Sequence, residues 1–256
     1  MKVLIFGQSG AGKTTLCRNV VQRMGDRVVH INADEIRKEA NDWDFSEAGR
    51  WRQFRRMLDK ANAVSESGKI ALCDFICPYK SGREQFDADL TIFMSTVVKS
   101  KYEDTNAIFE WPHWTEYDFD IHEWDDDDPV DVCWSIGQRM WSDEKPTVQM
   151  LGRWQPWHAG HQALLERCLQ KEEQVEIQIR SMEWSEDNPY SAHEVKQNLR
   201  NKLAYLAGKV SISIVPNIVN ITYGRKVGYS IEQEHFEKEI EDISATKIRN
   251  NTTDTL

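Results

Sequence analysis

The phosphate-loop signature near the start of the chain constrains the fold more than any other feature. The stretch "KVLIFGQSGAGKTTLCRNVV" has the pattern of an apolar strand, a glycine loop and a helix, and its loop matches G-x-x-x-x-G-K-[ST]. Glycines let the backbone point its N–H groups at phosphate oxygens, Lys13 adds positive charge, and Thr14 can hold Mg²⁺. The pattern predicts a site for a nucleoside triphosphate. Its predicted nucleotide-binding residues are Gly7, Ser9, Gly10, Gly12, Lys13, Thr14 and Thr15.

Alternating strands and helices follow the loop and predict an α/β domain with a parallel sheet. The predicted strands after the first cover 28–31, a run ending near Asp74, the stretch "DADLTIFMST" and the stretch "YDFDIHEW". Ligands bind at the carboxyl ends of such strands. The polar residues that follow each strand are therefore the candidates for catalysis.

Asp34 follows the second predicted strand and is the first such candidate. A carboxylate there can accept a proton from a substrate hydroxyl or hold the metal, and it can also cap the helix "EIRKEA". Arg37 and Arg50 belong to a run of arginines whose guanidinium groups suit an acceptor that carries phosphate. Asp74 is either a second magnesium carboxylate or a buried structural group.

These residues resemble the adenylylsulfate (APS) kinase family of P-loop kinases. The motifs are "GQSGAGKTTL", "NADEIR", "FSEAGRWRQFRR" and "ICPYKSGR", and together they extend over residues 1 to about 95. The resemblance implies that Asp34 activates a hydroxyl, and that Mg²⁺ and ATP are used. It also implies that Arg37, Phe45, Arg50 and Tyr79 lie near the acceptor.

The chain departs from the family pattern at three places. Asn32 and Gly49 stand where the family has Asp. The region of the usual basic lid contains 12 Asp or Glu and no Lys or Arg between Glu103 and Asp131. The positive charge that stabilises the transition state would then have to come from Lys13, Arg83, Lys99 or Lys101.

The strand–turn–helix pattern restarts at Pro146 with "TVQMLGRWQPWHAGHQALLERCLQ". We therefore predict two domains, a kinase domain over 1–145 and a second domain over 146–256. Further strands are predicted at "QVEIQIRSM", "VSISIVP" and "NITYGRKVGYSI", with a helix at "HEVKQNLRNKLAYLAG". About 110 residues of alternating elements favour a small, Rossmann-like doubly wound sheet.

Two histidines stand where the strand of this second domain leads into its helix. His158 and His161 can both face a phosphate held near the helix N-terminus, and Gly160 would let that phosphate approach the backbone. Alternatively, one histidine caps the helix while the other packs, or both bind a metal. The later stretch "ISATKIR" adds hydroxyls and positive charge through Ser244, Thr246, Lys247 and Arg249.

Together these two motifs resemble the HxGH nucleotidylyltransferase superfamily, including nicotinamide mononucleotide (NMN) adenylyltransferases and small cytidylyltransferases. The resemblance implies that His158 and His161 stabilise the charge that develops when an NMP group is transferred from ATP or CTP. Gly152, Arg153, Gln155 and Trp157 would lie beside the nucleotide. Ser244, Thr246 and Arg249 would hold the leaving pyrophosphate.

Composition narrows the classes of partner and location. The net charge of −10 comes almost entirely from the acidic stretch, which argues against a nucleic-acid groove. No apolar run is long enough to span a membrane, and the first residues lack signal-peptide anatomy. Five cysteines without metal spacing fit reduced thiols. We expect a cytoplasmic enzyme of small phosphate-bearing molecules that can form a homo-oligomer and binds neither nucleic acid nor membrane.

The combined pattern predicts a bifunctional enzyme, with an N-terminal small-molecule kinase and a C-terminal nucleotidylyltransferase. In one version, the kinase phosphorylates a riboside and the transferase adenylylates the product, as in nicotinamide nucleotide synthesis. In the other version, the transferase makes an activated nucleotide and the kinase then phosphorylates its ribose hydroxyl. The alternative from a different class is a nucleotide-sensing module whose kinase half has lost catalysis.

Overall fold

The computed structural model describes residues 1–222, 224–225, 228, 230–241, 243, 245 and 248, and it divides into two compact units, Met1–Arg139 and Met140–Leu256. The division lies between 139 and 140, whereas the sequence placed it between 145 and 146. The segment after residue 140 hydrogen-bonds within the second unit. Ser142 N donates to Gln174 Oε1 at 3.2 Å, and Gln174 Nε2 donates to Ser142 O at 2.9 Å.

Unit 1 contains a five-stranded sheet in the order β2-β3-β1-β4-β5, with every neighbouring pair parallel. Its strands are β1 Lys2–Gly7, β2 Val28–Asn32, β3 Ile70–Asp74, β4 Leu90–Met94 and β5 Phe119–Ile121. Its helices are α1 Lys13–Met24, α2 Ala33–Ala40, α3 Glu47–Glu66, α4 Lys80–Phe86, α5 Glu103–Ile108 and α6 Asp128–Met140, the last residue of which begins unit 2. All five strands agree with the sequence prediction of a parallel α/β sheet.

The core of unit 1 lies between the sheet and its helices. The strand β1 is buried from Val3 to Gly7, as expected for a central strand of a parallel sheet covered on both faces. Apolar side chains of α3, Phe54, Met57 and Ala61, pack into the same buried cluster as Leu4 and Phe6 of β1. This packing holds the loop after β1 against rigid elements.

Unit 2 contains a three-stranded parallel sheet in the order β6-β7-β8. Its strands are β6 Thr147–Gly152, β7 Gln174–Arg180 and β8 Val210–Val215, and its helices are α7 Ala159–Lys171, α8 Ala192–Leu203 and α9 Lys238–Glu241. Short 3₁₀ helices lie at Gly25–Arg27 and Trp114–Glu116 of unit 1 and at Ala204–Leu206 of unit 2. The further strand predicted at 220–231 is wrong for the described residues of that stretch, which form no strand. Its described apolar residues Ile221 and Ile231 are exposed and cover no sheet.

No helix in the described part of the chain is both long and apolar enough to cross a membrane. All five cysteines are buried and free of disulfides.

Candidate active sites

The phosphate loop connects β1 to α1 and its glycines adopt conformations that other residues rarely reach. Gly10 and Gly12 have φ values of 87° and 91°, and Gly7 has φ of 143°. A Cβ on Gly7 would lie 2.3 Å from the Met94 carbonyl oxygen, so only glycine fits between β1 and β4. The loop therefore requires the glycines that the sequence motif contains.

Lys13 folds back over this loop. Its Nζ donates to the carbonyl oxygens of Gly7 at 3.0 Å and Gln8 at 2.8 Å. Burial lowers the pKa of Lys13 to about 8, against the raising effects of Asp74 and Asp34. The ammonium group thus lies in a desolvated position where a phosphate would stabilise its charge.

Asp74 ends β3 at the centre of a polar network beneath the loop. Its carboxylate accepts hydrogen bonds from Thr14 Oγ1 at 2.6 Å and from Asn32 Nδ2 at 3.0 and 3.1 Å, and it contacts His30 Nε2 at 2.9 Å. Asp74 is 2% exposed. The interpretation of Asp74 as a buried, hydrogen-bonded group is confirmed, whereas its role as a magnesium carboxylate stays a prediction.

Asp34 is exposed at the first turn of α2 and lines the same cavity as Lys13. The alternative that Asp34 caps the helix is wrong, because Asn32 is the N-cap. Asn32 Oδ1 accepts from the backbone N–H groups of Asp34 at 3.0 Å and Glu35 at 3.1 Å. The Asp34 carboxylate is therefore not used as the helix cap, and the residue lines the cavity that contains Lys13.

A cavity of about 850 Å³ connects the loop to the predicted acceptor residues. Of the twelve site residues predicted in unit 1, only Gly7 lies outside its lining. The cavity lining contains the other eleven, namely Ser9, Gly10, Gly12, Lys13, Thr14, Thr15, Asp34, Arg37, Phe45, Arg50 and Tyr79. The structure therefore brings together residues that the sequence spreads over more than seventy positions.

The acceptor end of the cavity is aromatic and contains two arginines. The Arg37 guanidinium lies 4.7 Å from the Phe45 ring centroid and is only 6% exposed. Burial lowers the pKa of Arg37, with Asp42 opposing that shift. Trp51 stacks on Tyr79 with ring centroids 5.9 Å apart and planes 9° from parallel. Flat aromatic faces of this kind suit a nucleobase.

Sequence reasoning missed a carboxylate of the acidic stretch that enters this end of the cavity. Asp104 Oδ2 lies 2.5 Å from Arg50 Nη2, while Thr105 Oγ1 accepts from the same nitrogen at 3.3 Å. Both residues line the cavity. The count of acids without bases between Glu103 and Asp131 was the signal that could have found it.

Trp124 is a second residue that the sequence analysis did not select. It follows β5, and a Cβ placed on Gly12 would lie 3.8 Å from its Cε3 atom. The Trp124 indole therefore lies beside the phosphate loop, and the residue is 38% exposed.

Arg83 does not serve the role considered for it. It is 6% exposed and donates to the carbonyl oxygens of Cys77, Pro78 and Glu110 as well as to Glu116. These bonds join α4 to the residues just before it and to the stretch between α5 and β5, and the side chain does not line the cavity. Of the other two cations considered, Lys99 pairs with Glu103 and Lys101 lies over Tyr102.

In unit 2 the two histidines lie at the start of α7 with their rings stacked, centroids 3.6 Å apart. His158 is the N-cap: its Nδ1 accepts from Gly160 N at 3.1 Å, and His161 Nδ1 accepts from His158 N at 3.4 Å. Both Nδ1 atoms act as acceptors, so both neutral rings carry their protons on Nε2. Capping therefore leaves two Nε2–H donors for a ligand.

The surroundings keep these rings neutral. Burial lowers the pKa of His158, and burial together with His158 lowers the pKa of His161 to about 4. Trp154 contacts His161 edge to face at 4.9 Å between centroids, and Trp157 lies at 5.4 Å. Trp157 thus lies at the histidine site, as the sequence predicted, whereas Trp154 forms its buried wall.

Glycines around the histidines have steric roles. A Cβ on Gly160 would lie 3.0 Å from His158 Cε1, and one on Gly152 would lie 2.7 Å from the Trp154 indole. Both glycines therefore make room for side chains of the site itself. The phosphate approach predicted for Gly160 stays a prediction.

The remaining predicted residues of unit 2 bond to other residues of the same unit. Arg153 Nη1 donates to Asn188 Oδ1 at 3.3 Å. Gln155 is buried and turned inward, donating to Tyr190 O at 2.8 Å and accepting from Tyr190 N at 3.1 Å, so the nucleotide contact predicted for it is wrong. Lys171 forms ion pairs with Glu232 and Glu234.

Ser244, Thr246 and Arg249, together with Lys247, lie outside the described residues. The chain before them can be placed: the carbonyl oxygen of Ile240, in α9, lies 3.6 Å from a Cβ built on Gly160. The segment leading to "ISATKIR" therefore reaches the start of α7, where the two histidines are.

Comparisons with known proteins agree with the resemblance predicted for the N-terminal part. Residues 1–105 match the family model described as adenylylsulphate kinase. A probable adenylyl-sulfate kinase of Archaeoglobus fulgidus is 32% identical over 96 residues, which are 36% of this chain and 62% of that protein. The bifunctional enzyme NodQ of Azospirillum brasilense is 35% identical over 82 residues, covering 30% of this chain and 13% of NodQ.

Among solved structures, the Mycobacterium tuberculosis APS kinase in complex with AMPPNP and APS is similar at 21% identity and a TM-score of 0.33, covering 41% of this chain and 66% of that one. The chain spans between 13% and 62% of the length of the two curated relatives named above. The family match covers 105 of 256 residues and leaves the histidines of unit 2 outside it. Over residues 1–105, the chain is therefore similar to the adenylylsulphate kinases.

Proposed function

We propose that unit 1 transfers a phosphoryl group from ATP to a hydroxyl of a small nucleotide-like acceptor. The observation that carries this proposal is the single cavity that joins the phosphate loop, Asp34 and the aromatic acceptor end with its arginines. A phosphoryl transfer site needs little covalent chemistry from the protein, and it needs both substrates to be positioned in line within reach of positive charge.

The residues present fit a magnesium ion. Mg²⁺ prefers oxygen donors, and the Thr14 hydroxyl lies 2.6 Å from Asp74 Oδ2, with Asp34 lining the same cavity. When bound, Mg²⁺ would neutralise charge on the transferred group. Thr14 and Asp34 would hold it, with Asp74 orienting the threonine. Lys13 would bind phosphate oxygens, and Asp34 is placed to accept the proton of the acceptor hydroxyl.

The experiment for unit 1 measures ATP consumption and acceptor phosphorylation with a panel of adenylylsulfate, nucleosides and nucleotides. The proposal expects at least one acceptor to raise turnover far above that of ATP alone. If no acceptor does so while ATP still binds, the nucleotide-sensing alternative replaces the kinase assignment.

The ion pair between Arg50 and Asp104 leads to a prediction about the acceptor. Replacing Asp104 with asparagine frees the Arg50 guanidinium, so an acceptor with a negative group should show a KM about tenfold lower, with kcat nearly unchanged. Glu103→Gln is the matched control because Glu103 is an exposed neighbour that pairs with Lys99 instead. A higher KM in Asp104→Asn would mean that Asp104 itself binds the acceptor.

For unit 2 we propose transfer of an NMP group from ATP or CTP to a phosphate-bearing molecule with release of pyrophosphate. The observation that favours this is the pair of neutral histidines whose Nε2–H groups remain available at the N-terminus of α7. Two aligned donors at a helix N-terminus are suited to an oxyanion that develops on phosphorus. The alternative is that unit 1 phosphorylates a riboside to give NMN and that unit 2 adenylylates this NMN.

Pyrophosphate release tests this second activity. We expect His161→Ala to lower the rate by about 100-fold, because a preorganised donor is lost from the charged transition state. The assay uses ATP, CTP, GTP and UTP with NMN, sulfate and small phosphonates as acceptors. His193→Ala is the matched control, since His193 lies on the exposed part of α8. Equal rates in His161→Ala and the unchanged protein would remove His161 from catalysis.

A further inference from the structure

Three side chains that can bind a transition metal converge below the phosphate loop of unit 1. Cys17 comes from α1, His30 from β2 and Asp74 from the end of β3, and their ligand atoms all lie within 4.8 Å of one another. His30 Nε2 and Asp74 Oδ1 are 2.9 Å apart. Within the described part of the chain, no other group of three or more His, Cys, Asp or Glu residues meets this criterion.

The three donors are held in place by their surroundings. Cys17 is 0% exposed and Asp74 is 2% exposed, while the side chain of His30 is 17% exposed. Thr14 Oγ1 and Asn32 Nδ2 both donate to the Asp74 carboxylate. Metal-binding carboxylates are commonly oriented by hydrogen bonds of this kind, so the second layer of contacts around a metal already exists here.

The chemistry of the donor set selects the class of ion. A thiolate and an imidazole with one carboxylate suit Zn²⁺ or Co²⁺ and are poor ligands for Mg²⁺, which prefers oxygen alone. Three protein ligands leave one tetrahedral position for water. The site therefore differs in kind from the magnesium site proposed beside Thr14, although the two share Asp74.

A second cavity borders β2 on the side covered by α2 and α3. It has a volume of about 260 Å³ and is lined by His30 and Asn32 together with residues of α2 and α3. Asn32 also lines the larger cavity that contains the phosphate loop. The His30 ring contacts Asp74, which lines the larger cavity, so an ion would enter through that cavity.

We propose that Cys17, His30 and Asp74 form a binding site for a Zn²⁺-class ion, and that this ion engages the Asp74 carboxylate that orients Thr14. Binding requires the Cys17 thiol to lose its proton to solvent, and no oxidation or reduction occurs. Burial raises the pKa of that thiol, so the metal must displace a firmly held proton. The consequence is inhibition, because a nucleotide with Mg²⁺ needs the same carboxylate and threonine.

Cobalt titration tests the site without using activity. The untagged full chain is titrated with Co²⁺ in the absence of nucleotide, and the spectrum is followed for the near-ultraviolet charge-transfer band of a cobalt–thiolate bond. We expect the band in the unchanged protein. In Cys17→Ala we expect the band to vanish and Co²⁺ binding to weaken by about 100-fold. Cys133→Ala, which removes another buried thiol of unit 1, should keep both.

Folding of each variant is checked by circular dichroism, and His30→Gln supplies an independent ligand deletion if Cys17→Ala does not fold. Absence of the band in the unchanged protein, or its persistence in Cys17→Ala, overturns the site.

The inhibition of Mg·ATP binding by the metal ion rests on the nucleotide site of the proposed function, and it is measured in a separate experiment. Saturating Zn²⁺ should weaken Mg·ATP binding at least tenfold in the unchanged protein and have no effect in Cys17→Ala. Cobalt binding with unchanged Mg·ATP affinity would overturn the inhibition while leaving the metal site in place. Failure of Mg·ATP to bind even without Zn²⁺ would instead contradict the proposed function of unit 1.

Discussion

Replacing Lys13 with alanine is expected to lower phosphoryl transfer by unit 1 by about 1,000-fold. The reason is geometric, because the Lys13 ammonium lies 3.0 Å and 2.8 Å from two loop carbonyls and is placed over the position that phosphates would take. Burial has already lowered the pKa of Lys13 to about 8, so the desolvated ammonium interacts strongly with any phosphate that enters. The measurement is kcat with the best acceptor found in the panel.

Two comparisons make this result specific. Lys38→Ala removes an exposed lysine of α2 and should leave kcat within about twofold, as expected for a surface substitution. Circular dichroism should show the same helix content in both variants. If Lys13→Ala keeps more than a tenth of the original rate, the loop does not bind the transferred phosphate as proposed.

Replacing Asp74 with alanine is expected to destabilise unit 1 by about 3 kcal/mol. The substitution leaves Thr14, Asn32 and His30 without the acceptor that they share in a buried place. Asp74→Asn should cost less, because an amide of the same shape can still accept through its oxygen. Hydrogen exchange of the β1 and β3 amides measures the loss within unit 1 alone, which matters because a chain with two units need not unfold in one step.

Asp59→Ala is the control for this prediction, since Asp59 is exposed on α3. Its effect should stay within about 0.5 kcal/mol. Equal protection of the β1 and β3 amides in Asp74→Ala and Asp59→Ala would show that the network contributes little to stability. Asp74 would then be retained for ligand binding alone.

Local pattern was sufficient to locate the phosphate loop and its flanking elements. The sequence "GQSGAGKTT" lies between a run of apolar residues and a helix, and both its position and its contacts follow from that order. The same holds for His158 and His161, which are three apart and therefore share one turn at the start of α7. Both motifs lie within about twenty residues, so short-range geometry brings Lys13 onto its own loop and the two histidines together.

Local pattern could not assign partners across long separations. Gln155 belongs to a motif stretch, yet its amide bonds to the backbone of Tyr190, and Arg83 donates to the carbonyl oxygens of Cys77, Pro78 and Glu110. Asp34 and Asn32 are both residue types suited to cap α2, and only the geometry where β2 leads into α2 showed that Asn32 is the N-cap. In each case a side chain has several chemically suitable partners, and the packed chain leaves room for one.

The sequence by itself determined the two α/β units, the phosphate loop and the histidine pair, because strand, turn and helix signals depend on neighbouring residues. Only the tertiary structure decided that Asp104 reaches Arg50 across 54 positions, and that Cys17, His30 and Asp74 meet below the loop. The physical reason is that parallel strands β2, β3 and β1 lie side by side although long segments of chain separate them. Their carboxyl ends bring together residues whose closeness has no local signal.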